Sequence, residues 1–234
     1  RNDFFYDEST KQYVQPMYLK KLLRKILKSN DETILRSLKI SKDYKFSNAD
    51  PKDSAVKKFV TLKKGENDLN DLASVKTQSR HRGGLFQAFI SELAAQKEYP
   101  VLFTVDNFSK ILTSPFSSYK DVNNKNVHLL ELQLGKSIMD IVSGDFKFSH
   151  KDSAVVLAIS GVDRTNRTLP VALGKLEEDV YIKRHHYDPQ FASLLQKGGI
   201  KEFEVPKLDK TETRELLEFY LKSEIVQNSD SQIT

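Results

Sequence analysis

Cysteine and tryptophan are both absent from the 234 residues. Without a thiol the chain has no disulfide scaffold, no thiolate nucleophile, no iron–sulfur ligation and no cysteine-built zinc site. Long apolar runs are missing too. The longest, such as Ala154–Ile159, fall far short of the roughly 18 residues that a membrane-crossing helix needs. The five histidines, His81, His128, His150, His185 and His186, show no His-x₃-His spacing. No Gly-x-Ser-x-Gly elbow occurs either. Histidine-ligated zinc and serine hydrolysis are therefore left without a recognisable residue set. Apolar residues make up 38% of the chain and charged residues 29%, which predicts a moderate core with long polar excursions.

What is present is positive charge, unevenly placed. The chain carries 37 Lys+Arg against 32 Asp+Glu, a net +5 that suits a polyanionic partner. Four units of that surplus lie in residues 1–30, mostly between Pro16 and Lys28. Leu19, Leu22, Leu23, Ile26 and Leu27 recur there at helical spacing, with Pro16 suited to the first turn and Asn30 to the stop. Lys20, Lys21, Arg24, Lys25 and Lys28 cover the other side. Such a face is either solvated or turned toward phosphates. A second basic turn, Arg80-His81-Arg82-Gly83-Gly84, opens a helix predicted over 85–96. Arg80, Arg82 and the helix cations are the candidate RNA or partner contacts.

Residues 41–79 read as a polar insertion or mobile loop with one short strand at 58–62. Beyond the 85–96 helix comes Val101-Leu-Phe-Thr-Val105, a short apolar run that predicts a central strand buried on both faces and closing on Asp106-Asn107. A Ser/Asn/Lys loop over 113–126, a helix over 127–142 and a second buried strand over 154–159, ending at Ser160-Gly161, follow. Residues 161–200, with Asp163, Arg164 and Arg167, read as mostly irregular. A third strand is predicted over 202–205. Asp209 with Glu212 predicts a capping box for a last helix ending near Val226, and 227–234 reads as a frayed tail. Alternating buried strands and helices imply a parallel α/β sheet, whose ligands sit outside the carboxyl ends of the strands. Asp106 and Ser160 hold those two positions.

An apolar strand closing on Asp is the pattern of a Walker B element, whose carboxylate holds nucleotide-bound magnesium, usually through water. The residue after it is Asn107 where active ring ATPases commonly place Glu, and an amide cannot act as a general base. Ser160 sits where such proteins keep a residue that senses the terminal phosphate. A turn Asp and a turn Ser remain the plain alternatives. Gly135-Lys136-Ser137 imitates a phosphate loop. It lacks both the Gly five positions earlier, where Leu130 stands, and a preceding strand, and it reads as mid-helix. Phe4, Phe5 and Tyr6 read as an apolar anchor rather than a base-stacking platform.

Tyr99-Pro-Val-Leu-Phe-Thr-Val-Asp-Asn-Phe108, the 127–142 and 154–160 segments, Thr168-Leu-Pro-Val-Ala-Leu-Gly-Lys175, Phe203-Glu-Val-Pro-Lys-Leu208 and Phe219-Tyr-Leu221 resemble the death-associated protein family of mitochondrial small-subunit ribosomal proteins. So does Gln15-Pro16 before the basic helix. The Asn/Lys/Ser-rich loops suggest a fungal member. The resemblance implies an α/β fold of the P-loop NTPase (AAA-like) type, a three-layer parallel sheet with helices on both faces and a small C-terminal helical lid. On that reading residues 1–205 form the nucleotide-binding core and residues 206–234 the helical segment. It further implies a structural, non-enzymatic component of the mitochondrial small ribosomal subunit in the mitochondrial matrix, holding a purine nucleotide without efficient hydrolysis. GTP, GDP or ATP with magnesium would be the cofactor, and Asp106, Asn107 and Ser160 its candidate residues. Small-subunit proteins and rRNA, and the large subunit through a bridge, would be the partners, with no membrane. The family's phosphate loop precedes the Walker B strand. None is seen before Asp106, and the first residue is Arg1 rather than Met, so the sequence is expected to begin inside a longer chain and to lack that loop. An active AAA-type ATPase or GTPase, and an RNA-associated module without nucleotide, are the competing readings.

Overall fold

A helix that is apolar on nearly every side has to be surrounded, and the segment Arg82–Ala95 is such a helix. Its Leu85, Phe86, Ala88, Phe89, Ile90 and Ala94 are all buried. The computed structural model describes residues 3–48, 58–160, 165–179, 181–183, 185–223 and 225. They fall into two compact units, residues 1–200 and residues 201–234.

The first unit opens with a hairpin of β1 (Phe5–Asp7) and β2 (Gln12–Val14), then α1 (Pro16–Ser29) and α2 (Glu32–Ser37). The α1 helix forms where its spacing predicts. Pro16 occupies its first turn, Leu19 and Leu23 are buried, and the Asn30 side-chain amide donates to the Ile26 carbonyl at 2.7 Å to close it. Strands β3 (Tyr44–Ser47) and β4 (Phe59–Leu62) pair antiparallel, and α3 (Leu69–Ser74) follows. The helix described above is α4.

Within 41–79 the strand predicted over 58–62 forms as β4, and the expected mobile loop is replaced by packed structure. Phe46, Leu62, Leu69, Leu72 and Ala73 join Val14, Leu19, Leu23 and the α4 residues in one core. Residues 49–57 lie outside the described residues. The physical reason is Glu92, a buried carboxylate on α4. It accepts the Ser41 N–H at 2.7 Å, the Ser41 hydroxyl at 3.1 Å and the Tyr44 hydroxyl at 2.6 Å. Burial and this bond push the Tyr44 phenol up. Three donors replace the water that the carboxylate gives up, and in doing so they stitch a polar segment to an apolar helix.

A second core gathers Phe108, Leu112, Met139, Val142, Phe191 and Leu195. It is built from β5 (Leu102–Val105), α5 (Ser109–Thr113), the hairpin of β6 (Phe116–Lys120) and β7 (Asn126–His128), α6 (Gln133–Val142), β8 (Ala154–Leu157), α7 (Thr168–Ala172) and α8 (Pro189–Lys197). Three expectations change here. The loop over 113–126 contains a hairpin. The 127–142 helix starts at Gln133, because 126–128 pair as β7 and 129–131 form a 3₁₀ turn. The 161–200 segment contains α7 and α8; Asp163 and Arg164 lie outside the described residues.

The β5 and β8 strands run parallel, with Leu102 opposite Ala154 and Val105 opposite Leu157. The expected wide parallel sheet is not formed by the described residues, whose strands pair two by two. Nor is β5 buried on both faces. Phe103, Val105 and Leu157 face the cores, while Leu102 is 67% exposed and Val156 49%. An apolar run signals that a strand needs cover, and these residues cover one face.

In the second unit α9 (Lys210–Lys222) begins with the predicted capping box. Asp209 accepts the Glu212 N–H at 2.7 Å and the Glu212 carboxylate accepts the Asp209 N–H at 2.9 Å. The helix ends at Lys222 rather than near Val226, since the Ser223 N–H closes it on the Phe219 carbonyl. The strand predicted over 202–205 is absent, with Phe203 and Val205 exposed and unpaired in any ladder. The tail over 227–234 lies outside the described residues.

The second core is pinned by a buried pair. His128 Nδ1 accepts the Leu130 N–H at 3.1 Å, so Nε2 carries the proton and donates to Asp188 Oδ2 at 3.0 Å. The other Asp188 oxygen caps α8, accepting from Gln190 and Phe191. Burial raises the Asp188 pKa, but the His128 bond and these amides outweigh it and hold it below the ordinary 3.8. A depressed carboxylate stabilises the fold above its unfolded value, and that contribution is lost as pH falls through its folded value. Asp188→Asn must turn its amide toward a donor on one side. It is expected to cost about 2 kcal/mol at pH 7 and to flatten the loss of stability below pH ~4, as urea unfolding at pH 7 and pH 3 measures.

Candidate functional site

The ends of β5 and β8 form a mouth. Phe108 donates its N–H to the Ala158 carbonyl at 2.7 Å, locking the turn after β5 onto β8. Asp106 and Asn107 are exposed at that turn. Asn107 sits in the left-handed region at φ +53°, which a short amide tolerates better than most side chains. The buried Ser109 hydroxyl donates to Asn107 Oδ1 at 3.1 Å and accepts the Ser160 N–H at 3.3 Å. The structure therefore brings Asp106, Asn107 and Ser160 to one place. Ser109 is the residue that sequence reading missed; its only signal was its position two after Asn107, where a hydroxyl can close on the preceding side chain. An apolar groove of about 540 Å³ runs along β5 between α1, α2, α4 and α6, with Asp106 in its lining.

The mouth offers one carboxylate, and among the described residues no three His, Asp or Glu side chains cluster as a metal set. A hydrated magnesium ion, which takes most of its oxygens from water and phosphates, would need from the protein no more than the Asp106 carboxylate.

Gly135-Lys136-Ser137 is explained by packing. The three residues lie at the start of α6, not mid-helix. A Cβ at Gly135 would land on the Leu129 carbonyl oxygen, so the glycine serves the close approach of the 3₁₀ turn to α6. Lys136 pairs with Asp140 at 2.8 Å, and the Ser137 hydroxyl donates to the Gln133 carbonyl while accepting from Gln87. Phe4 is stacked between Tyr13 at 4.8 Å and Tyr119 at 4.3 Å, so its faces are filled by protein.

The basic residues separate into groups. Lys20 and Arg24 on α1 meet Arg82 at the start of α4, together with Lys76, in one cleft of about 330 Å³ floored by Leu23, Leu27 and Leu85. Lys21, Lys25 and Lys28 are exposed and do not line it. Arg80 lies on the 3₁₀ turn before α4, its Nε donating to Gln78 at 3.1 Å. Lys76 was missed because nothing in its local sequence distinguishes it; the packing of α3 against α1 and α4 brings it there.

A profile of the family described as mitochondrial ribosomal death-associated protein 3 matches residues 1–234. The chain belongs to the mitochondrial ribosomal death-associated protein 3 family. Membership places it in the mitochondrial matrix as a component of the small subunit of the mitoribosome. Comparison with curated proteins finds no significant match. The family's structural role is in keeping with the expectation of a non-enzyme.

Two substitutions test the packing account of the Gly-Lys-Ser triplet. Gly135→Ala should destabilise the fold by about 1–3 kcal/mol through the clash with the Leu129 carbonyl. Lys136→Ala should cost no more than about 0.5 kcal/mol, because its ion pair is exposed. Thermal melting with and without magnesium-nucleotide reads both. A phosphate loop would instead show Lys136→Ala folding normally and losing all nucleotide-induced stabilisation.

Proposed function

We propose that this member of the death-associated protein 3 family is a structural constituent of the small mitoribosomal subunit whose β5–β8 mouth takes the magnesium end of a purine nucleotide and does not turn it over. The observation that carries this reading is the gathering of Asp106, Asn107 and Ser160 around Ser109 at the carboxyl ends of a parallel pair. That is where open α/β sheets place ligands. When bound, the magnesium–nucleotide supplies charge neutralisation between phosphates and carboxylate. Asp106 would hold the hydrated ion, and Ser160 would face the phosphate end from the adjoining strand.

The residue after Asp106 explains the absence of turnover in this proposal. Asn107 has no basic atom to accept a proton from water. Its side-chain oxygen is also engaged by Ser109, and its backbone is left-handed. A Glu there would be strained by roughly 1–2 kcal/mol and would lose the Ser109 bond. The nucleotide then acts as a ligand that stabilises the folded state by mass action.

Thermal unfolding of the full chain with magnesium–GDP, magnesium–GTP or magnesium–ATP tests the reading. At 100 times Kd a bound nucleotide should add about 2.7 kcal/mol. Asp106→Ala should abolish that increment while leaving the nucleotide-free melting temperature unchanged, because the side chain is exposed. Asn107→Glu should melt earlier, through the left-handed strain and the lost Ser109 bond. An undiminished nucleotide effect in Asp106→Ala would remove the mouth from nucleotide binding. Multiple turnovers by the wild-type chain, lost in Asp106→Ala, would make it an active ATPase or GTPase instead.

A further inference from the structure

We propose that the cleft between α1, the end of α3 and the start of α4 is a binding site for the phosphates of an RNA backbone, with Lys20, Arg24, Lys76 and Arg82 as its cations. The four converge on one cleft whose lining contains no Asp or Glu. Among the described residues none of the four is paired with a carboxylate, although Lys39, Lys63, Lys136, Lys197, Arg36, Arg167 and Arg214 all are.

The arrangement works against the isolated fold. Lys20 and Arg24 are four apart on α1, where like charges repel. Arg24, Arg82 and Lys76, in that order with burial, lower the Lys20 pKa. Arg82 is half-buried, and its own pKa is lowered by that burial and by Arg24. A local rule broken without compensation among the described residues points to a compensating group outside the fold. One carboxylate would neutralise a quarter of this charge, whereas closely spaced phosphates match it.

The cleft is also built. The Arg82 guanidinium is held by the Pro16 carbonyl at 3.5 Å and by the Met17 sulfur at 3.2 Å. Its fork is thus oriented before a ligand arrives, which suits two-pronged contact with phosphate oxygens. The apolar floor of Leu23, Leu27 and Leu85 keeps the cations on the rim. Beyond the rim, Lys21, Lys25 and Lys28 continue the positive surface along α1 and provide weaker, diffuse attraction. Ribosomal RNA is the polyanion that a mitoribosomal protein meets.

The test is fluorescence anisotropy of a labelled RNA hairpin of about 20 nucleotides titrated with the full chain between 50 and 250 mM KCl. Lys20→Gln/Arg24→Gln/Lys76→Gln should weaken binding at least tenfold at ~100 mM salt and reduce the slope of log affinity against log salt by about two to three. Lys21→Gln/Lys25→Gln/Lys28→Gln removes the same charge and should change affinity less than about threefold. Arg82→Lys, which keeps charge and loses the fork, should weaken binding by several-fold. Melting curves and circular dichroism confirm that each variant is folded; if the triple variant does not fold, Lys20→Gln/Lys76→Gln carries the same comparison. Equal losses in the two triple variants would overturn the site in favour of a diffuse basic surface. Unchanged binding in the cleft variant would overturn it outright. Inorganic phosphate or polyglutamate bound as tightly as the hairpin would also overturn it, replacing RNA with a free anion or an acidic protein segment.

Discussion

The burial of α4 is the constraint on which the first unit depends. A helix carrying Leu85, Phe86, Ala88, Phe89 and Ile90 within six positions exposes apolar surface in every direction unless neighbours cover it. Each fully buried aromatic is worth about 3–5 kcal/mol against truncation. The cover comes from α1 and α3 and from the segment that Glu92 draws in through Ser41 and Tyr44. The basic cleft is a by-product of this packing. Laying the Leu19–Leu23 face of α1 against α4 leaves Lys20 and Arg24 on the border, beside Arg82 at the helix start.

A second constraint organises the other half. The parallel pairing of β5 with β8 brings two chain segments about 50 residues apart to a common end. Parallel ladders with one open face are uncommon, because their strands are apolar on both sides. Here the inward face packs on Phe108, Met139 and Phe191, while Leu102 and Val156 stay open. The His128–Asp188 pair ties that inward core to the start of α8. Its geometry resembles a catalytic dyad, yet the second ring nitrogen accepts a backbone amide. No face of the imidazole ring edge is left for proton transfer, and the pair serves structure.

Much of this was legible locally. The α1 helix, the α4 stripe, the strands at 102–105 and 154–157 and the capping box of α9 all follow from periodicity or from neighbours within four residues. The errors share a cause. The 41–79 segment looked loose apart from its strand at 58–62, because much of its order comes from a carboxylate about 50 positions away. The β6–β7 hairpin lacks apolar alternation strong enough to stand out, and it pairs because Phe116 packs on His128 and His128 in turn on Phe191. The apparent strand at 202–205 had the right residues but forms no ladder with the described strands.

Sequence by itself determined which residue types stand where: an Asp closing an apolar strand, an Asn directly after it, a helix with cations down one side, and a chain without thiols. It determined the family as well, through the order and spacing of short segments. Tertiary structure alone decided that Ser109 joins Asn107 to Ser160, that Lys76 meets Lys20, Arg24 and Arg82, and that Gly135 answers to a carbonyl rather than a phosphate. Local pattern reports what a few neighbouring residues prefer. Convergence of distant side chains depends on how buried surfaces fit together, and no window along the chain contains that information.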